Sequence, residues 1–109
     1  MNLFSWNKGR QNTGYEAFPI LITKILDFYV LRYKTGTSIP EHVDPISDRR
    51  HYRLNVILNT VDGGDFNCEK MIYNSKRIKL FRPDLYKHSV STVKSGTRYV
   101  LSFGLSTKG

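Results

Sequence analysis

Short apolar runs rich in Val, Ile, Tyr, Phe and Thr recur along the chain, and each is cut off by Gly, Pro, Asn, Asp or Ser. This punctuation commits the sequence to a largely β structure. Residues 1–14 are polar and Gly-containing and read as an N-terminal arm, irregular or helical. From Tyr15 the chain is apolar with a Pro19 interruption, which predicts one strand or helical turn and then a longer strand, Ile25 to Tyr33. TGTSIP makes a turn, because Gly36 can take positive φ and Pro40 holds the approach to EHVD extended. A short strand bearing His42 and Asp44 follows. Further strands are expected over His51–Asn59, Phe66–Tyr73 (one or a pair), Arg77–Pro83, His88–Val93 and Arg98–Gly104, with turns at VDGGD, NSKR and KSGT. About eight short strands at such spacing argue for a sandwich or barrel. The expected organisation is one domain over residues 1–109, with its core in 15–104 and a short tail at 105–109.

Composition narrows the chemistry. The single cysteine, Cys68, rules out an intrachain disulfide and a thiolate-based zinc site, so any metal must be held by His and carboxylate. A formal charge of +8 favours polyanions or anionic small molecules and leaves nucleic acid open as a partner. The basic cluster Lys76, Arg77, Lys79 and Arg82 reads as a solvated strand face, since no nucleic-acid motif accompanies it. No run approaches the ~20 apolar residues of a spanning helix and the start lacks a signal peptide, so a cytoplasmic protein with no membrane association is expected.

His42 and Asp44 are two apart, and on an extended strand such side chains project from one face. They can ligate one ion together. In an antiparallel jelly roll a distant strand can be their neighbour, so His88 can complete a two-His, one-carboxylate facial set, which suits non-haem Fe(II) and leaves adjacent positions open. A His-x-Asp pair alone recurs by chance, and a lone His88 is more often a surface or core histidine. His51, at a strand start, reads as structural. Arg98 opens the last strand. It is either an exposed strand-start residue or a buried guanidinium, which would then need a carboxylate partner matched to its planar fork.

Five blocks, LRYKTGTSIPEHVD, RRHYRLNVILN, DGGDF, RIKLFRPDLYKHSV and GTRYVLSFG, stand in the order and at the spacing of one family. Over roughly residues 25–104 the sequence resembles the 2-oxoglutarate/Fe(II)-dependent oxygenase superfamily, in particular its prolyl-hydroxylase-like branch of bacteria and phages. The resemblance implies an all-β double-stranded β-helix. It implies that His42, Asp44 and His88 are the iron ligands and that Arg98 binds the distal carboxylate of 2-oxoglutarate. Tyr33 falls where related enzymes place a tyrosine hydroxyl on the co-substrate. Asn55 shares a strand face with Arg53, Ile57 and Asn59, so it can donate to a 2-oxoglutarate carboxylate or pair with neighbouring backbone. Ser102 lies two positions beyond the family's Arg-x-Ser serine, whose place Val100 takes, which puts a serine contribution in doubt. Gly63 and Gly64 match the family's GG, with a role in shape rather than contact, and Phe81, Pro83 and Leu85 read as core around His88.

The implied activity is a dioxygenase that hydroxylates a substrate while converting 2-oxoglutarate to succinate and CO2, with Fe(II), 2-oxoglutarate and ascorbate as reductant. A protein residue or amino-acid-like substrate is favoured over nucleic acid, because no second Arg follows Arg98 on the last strand. Two other classes stay open: a non-catalytic metal- or 2-oxoglutarate-binding jelly roll acting as sensor or inhibitor, and a basic nucleic-acid-binding barrel. If phage-encoded, the protein would work in the host cytoplasm. Oligomeric state is not readable from the sequence.

Overall fold

The computed structural model describes residues 2–8, 14–46 and 48–108, and every regular element among them is a strand. In chain order these are β1 (Asn7–Lys8), β2 (Glu16–Ile22), β3 (Leu26–Tyr33), β4 (Ile39–His42), β5 (Arg49–Ile57), β6 (Asp62–Gly63), β7 (Phe66–Cys68), β8 (Tyr73–Asn74), β9 (Ile78–Phe81), β10 (His88–Val90), β11 (Val93–Ser95) and β12 (Arg98–Lys108). Seven of them form a major sheet in the order β1-β2-β3-β12-β5-β9-β8, while β4-β10-β7 and β11-β6 form two smaller ones. The fold is an all-β double-stranded β-helix. No helix is long and apolar enough to cross a membrane among the described residues.

β12 organises the molecule. One edge pairs with β3 from Arg98↔Tyr33 to Leu105↔Leu26, the other with β5 from Val100↔Ile57 to Lys108↔Arg49. Along it Arg98, Val100, Ser102 and Gly104 are buried, whereas Tyr99, Phe103 and Leu105 are exposed, the period of two that a sheet with a distinct inner face requires. Cross-strand partners share a face, so Tyr33 and Tyr29 on β3 and Asn55 and Arg53 on β5 turn inward with Arg98 and Ser102. A compact apolar cluster of Tyr33, Ile57, Val93 and Val100 closes the Arg98 end.

Several boundaries differ from the sequence reading, each for a local reason. The segment before Pro19 is strand: β2 runs through Pro19, which is accommodated where the register with β3 shifts between Pro19 and Leu21. No part of the described arm is helical; Asn7 and Lys8 pair with Ala17 and Glu16 as an edge strand, and residues 9–13 of the expected arm lie outside the described residues. Asp44 is not on a strand, since β4 ends at His42. The expected turn around Gly63 includes β6, which pairs with β11. The last strand passes Gly104 and continues to Lys108, because Leu105–Lys108 find partners in Tyr52–Arg49, so no tail begins at 105. Leu85 is 53% exposed and is not core, whereas Phe81 and Pro83 are fully buried.

Gly63 and Gly64 both have positive φ, 78° and 65°. A Cβ on Gly63 would run into the Thr92 carbonyl oxygen, and one on Gly64 would sit 2.8 Å from Val93 Cγ2 and 3.7 Å from Arg98 Nε. Their role is indeed one of shape, letting backbone lie directly over β11 and the Arg98 guanidinium.

Candidate metal centre and co-substrate chamber

His42 closes β4 and lies directly opposite His88, the first residue of β10. Asp44 follows two residues later. Pro45 keeps it extended, and its N–H donates to the Pro83 carbonyl at 2.8 Å, so its side chain stays on the His42 side although the strand has ended. The predicted ligands therefore meet: one donor atom from each of His42, Asp44 and His88 lies within 4.8 Å of the others. His42 Nε2 is 3.6 Å from Asp44 Oδ1, and His88 Nε2 is 3.3 Å from Asp44 Oδ2. The buried Phe81 ring packs 5.4 Å from that of His88 and limits its freedom.

Both imidazoles are oriented by the same device. His42 Nδ1 lies 2.7 Å from the Pro40 carbonyl and His88 Nδ1 lies 3.0 Å from that of Tyr86. A carbonyl can only accept, so each Nδ1 must carry the proton and donate it, which leaves the Nε2 lone pairs directed at the carboxylate. Acceptor then faces acceptor twice within one site. Such an arrangement is repulsive unless a proton or a cation sits between the groups, and two neutral imidazoles with one carboxylate are a donor set suited to a divalent transition metal.

The three side chains line an open cavity of about 570 Å³ whose walls come from both layers, including Tyr29, Tyr33, Arg53 and Asn55 on the major sheet. A side chamber of about 20 Å³ lies next to it. That is room for about one water, so only the end of a longer ligand can enter it. The two volumes share Tyr33, Asn55, Phe66 and Val90, and the chamber adds Arg98, Gly64 and Lys79. Arg98 is 8% exposed, and its Nε has no hydrogen-bond partner among the described residues. No ion pair links it to a carboxylate among them either. A buried guanidinium N–H left without an acceptor is costly, and an anionic group entering the chamber would remove that cost.

Tyr33 stands beside Arg98 in the β3–β12 register and is buried. Burial, and next the neighbouring Tyr15, push its phenol well above the usual tyrosine value, so it stays protonated and able to donate. Asn55 borders both volumes, as its strand face suggested. Its Oδ1 is taken by Ser102 Oγ at 2.6 Å, which leaves the NH2 end as the group able to donate to a ligand. Ser102 itself is occupied by this bond and by one from Arg53 Nη1 at 2.7 Å, so it makes no separate carboxylate site. Of the basic cluster, Arg77 donates to the Ile57 and Leu58 carbonyls and Arg82 pairs with Asp84. Only Lys79 of the four reaches the chamber.

One part of the cavity wall escaped the sequence reading. Asp27 on β3 and Arg53 on β5 are both cross-strand partners of Gly104, and their side chains join over it, with Arg53 Nη2 2.8 and 3.0 Å from the two Asp27 oxygens. His51 lies 3.3 Å from the same Nη2. Burial first, and the Arg53 charge next, hold its imidazole below the ordinary histidine value, so it is neutral and serves as a structural neighbour of Arg53. The available signal was the glycine inside a strand, which marks a close approach. A Cβ on Gly104 would collide with Arg53 Nη2 and sit 2.5 Å from Asp27 Oδ2. Strand propensity alone would make Gly104→Ala stabilising; the collision reverses the sign. The obstructing atoms are the far ends of two flexible side chains, so the cost is that of displacing the Asp27–Arg53 bridge, and the variant is expected to lose about 1 kcal/mol or less. Urea denaturation should show a lower midpoint at unchanged slope.

No protein-family profile matches this chain, and no curated protein matches it in sequence. Its architecture does have solved counterparts. It is similar to the cupin domain of Schizosaccharomyces pombe Cnp3, with a TM-score of 0.66 at 8% identity over 93% of this chain and 67% of that one. KdgF from Halomonas sp. gives a TM-score of 0.61 at 13% identity, over 96% and 94%. Recombinant oxalate oxidase, solved in complex with glycolate, gives 0.54 at 13% identity, over 98% of this chain and 59% of that one. At such identities the likeness is one of fold. The chain thus has the cupin-like jelly-roll fold, and within it His42, Asp44 and His88 form a cluster able to hold a metal.

Proposed function

We propose that the protein is an Fe(II)- and 2-oxoglutarate-dependent dioxygenase of the prolyl-hydroxylase-like kind. The observation that carries this reading is the buried Arg98 guanidinium, with its Nε unpartnered, in a chamber that shares walls with the cavity of the His42–Asp44–His88 cluster. A metal-binding jelly roll needs no such cation; a dicarboxylate co-substrate does, because its far end must be neutralised once it leaves water. His42, Asp44 and His88 would hold Fe(II). Arg98, with Tyr33 and Asn55 as further donors, would hold 2-oxoglutarate. When bound, iron and 2-oxoglutarate supply the oxidising power for C–H hydroxylation, with succinate and CO2 as co-products.

The chain's own contribution is position and polarity. The Pro40 and Tyr86 carbonyls keep both imidazoles in the ligating tautomer. The apolar cluster behind Arg98 makes the surroundings of the chamber less polar than water, which strengthens its attraction for an anion. The wide cavity mouth suits a side chain presented on a protein or an amino-acid-like molecule, with ascorbate keeping the metal reduced. The test is turnover of 2-oxoglutarate by purified protein supplied with Fe(II), ascorbate and oxygen. Succinate is expected above the level of the His42→Ala variant. Equal succinate from both, with 2-oxoglutarate failing to bind the Fe(II)-loaded protein, would sink the reading.

A further inference from the structure

Arg53 stands in the wall of the metal cavity, at the level of the metal cluster. Its cross-strand partner on β9 is Phe81, whose ring packs 5.4 Å from that of His88. Arg98 is elsewhere: Arg53 opposes Gly104, three inward-facing positions further along β12. Each neighbour of the Arg53 guanidinium fixes it. Nη2 donates to the two Asp27 oxygens and faces His51 Nε2, Nη1 donates to Ser102 Oγ, and the group lies 5.9 Å from the Tyr29 ring centroid. None of these contacts uses the Nε–H, and the side chain keeps 18% of its surface exposed. A cation held this firmly, with a donor left over, binds an anion without first losing side-chain entropy. Stability alone gives no reason for it, since apolar side chains in that row would serve the fold as well.

Charge in the walls points the same way. Among the described residues, Asp44 is the only carboxylate lining the cavity or the side chamber, against Lys8, Arg53, Lys79 and Arg98. A divalent metal beside Asp44 and a dianionic co-substrate beside Arg98 would cancel one another, and Asp27 balances Arg53. Lys8 and Lys79 remain, the second bonded to the neutral Asn74 side chain. A further occupant is therefore favoured when it carries net negative charge. The cavity's volume of about 570 Å³ falls within the ~300–1,000 Å³ of small-molecule sites, and Val43, Ile46 and Phe81 give it an apolar side.

We propose that Arg53 holds the carboxylate of the primary substrate and that this substrate is a small aliphatic monoanion. The assignment rests on the dioxygenase reading and narrows its substrate to the small-molecule kind. A residue within a polypeptide meets the wall with neutral amides, which leave the surplus cations unanswered. A zwitterionic amino acid brings an ammonium into walls already rich in cations. A carboxylic acid whose amino group is absent or acylated does neither. Its carboxylate meets the Arg53 Nε–H in a charge-assisted bond, and its hydrocarbon part packs on Val43, Ile46 and Phe81, of which Val43 and Phe81 adjoin the metal ligands.

The test is saturation-transfer NMR on the chelator-treated chain, so that no metal holds the probe. The probes are isovalerate, hexanoate, N-acetylleucine and N-acetylproline, each beside its carboxamide, with free leucine and a leucine-terminated peptide. At least one small acid should bind the parent, and its carboxamide should bind about 10- to 150-fold more weakly, the worth of a hydrogen bond to a charged group. The double variant Asp27→Asn/Arg53→Met, which leaves no lone charge behind, should lose the acid by the same factor, whereas Arg98→Met should keep it. If the double variant does not fold, the carboxamide and Arg98→Met comparisons decide. The proposal is overturned if no small acid binds, if acid and carboxamide bind equally, or if Arg98→Met loses the acid. Tightest binding by free leucine, or binding of the peptide alone, overturns it too. Succinate formation is read separately: its absence sinks the dioxygenase reading, while carboxylate binding at Arg53 is measured without turnover.

Discussion

Asp44→Ala should lower Fe(II) affinity by more than about 100-fold without destabilising the metal-free protein. Loss of an outer-shell partner already costs 10- to 100-fold in metal affinity, and Asp44 would be a ligand itself and the only anionic one in the cluster. The second half of the expectation follows from the geometry. In the metal-free protein two Nε2 atoms at 3.3 and 3.6 Å face carboxylate oxygens, so with both imidazoles neutral, in alkaline buffer, removing the carboxylate relieves repulsion. Anaerobic titration with Fe(II) reads the affinity. Melting with and without a chelator reads the stability: Fe(II) at a hundred times its dissociation constant should stabilise the parent by about 2.7 kcal/mol and the variant by no more than about 0.4 kcal/mol. Equal Fe(II) affinity in parent and variant would mean that the three side chains do not form a metal site.

Arg98→Met should abolish 2-oxoglutarate binding while leaving the fold as stable as before or slightly more so. Methionine keeps most of the side chain's length and removes a buried charge whose Nε has no partner, and apolar replacement of buried charge is often neutral or stabilising. The same substitution deletes the planar fork that a carboxylate would meet. Losing one partner of a buried, hydrogen-bonded charge pair costs about 2–5 kcal/mol, which is roughly 30- to 5,000-fold in affinity. Arg98→Lys keeps the charge without the fork and should recover only part of the binding. Calorimetric titration of 2-oxoglutarate into the Fe(II)-loaded variants separates these outcomes, since Fe(II) affinity itself should be unchanged. If Arg98→Met unfolds the protein, Arg98 is a structural cation, and its proposed tie to a co-substrate fails.

Much of the site was legible because its pieces are local or belong to a recognisable order. His42 and Asp44 share a side by their spacing alone, and this survives although Asp44 lies beyond the end of β4, because Pro45 keeps that residue extended. His88, Arg98 and Tyr33 were picked out by the order of five sequence blocks, and the register sets His88 against His42 and Arg98 against Tyr33. The Asp27–Arg53 bridge was not legible. Its members lie on β3 and β5, which never pair with each other, and nothing near either residue says that β12 runs between them with a glycine at the crossing.

Local alternation and turn chemistry, both short-range steric effects, made an all-β chain out of this sequence by itself, and its single cysteine turned any metal chemistry toward imidazole and carboxylate. Tertiary structure alone decided which strands are neighbours. In a sheet a one-residue slip of register exchanges the two faces, so only the assembled pairings settle that Arg98 and Ser102 point inward and that Phe103 and Leu105 are left on an apolar outer face. Those pairings join residues far apart in the chain, and their free energy comes from packing that no single segment contains.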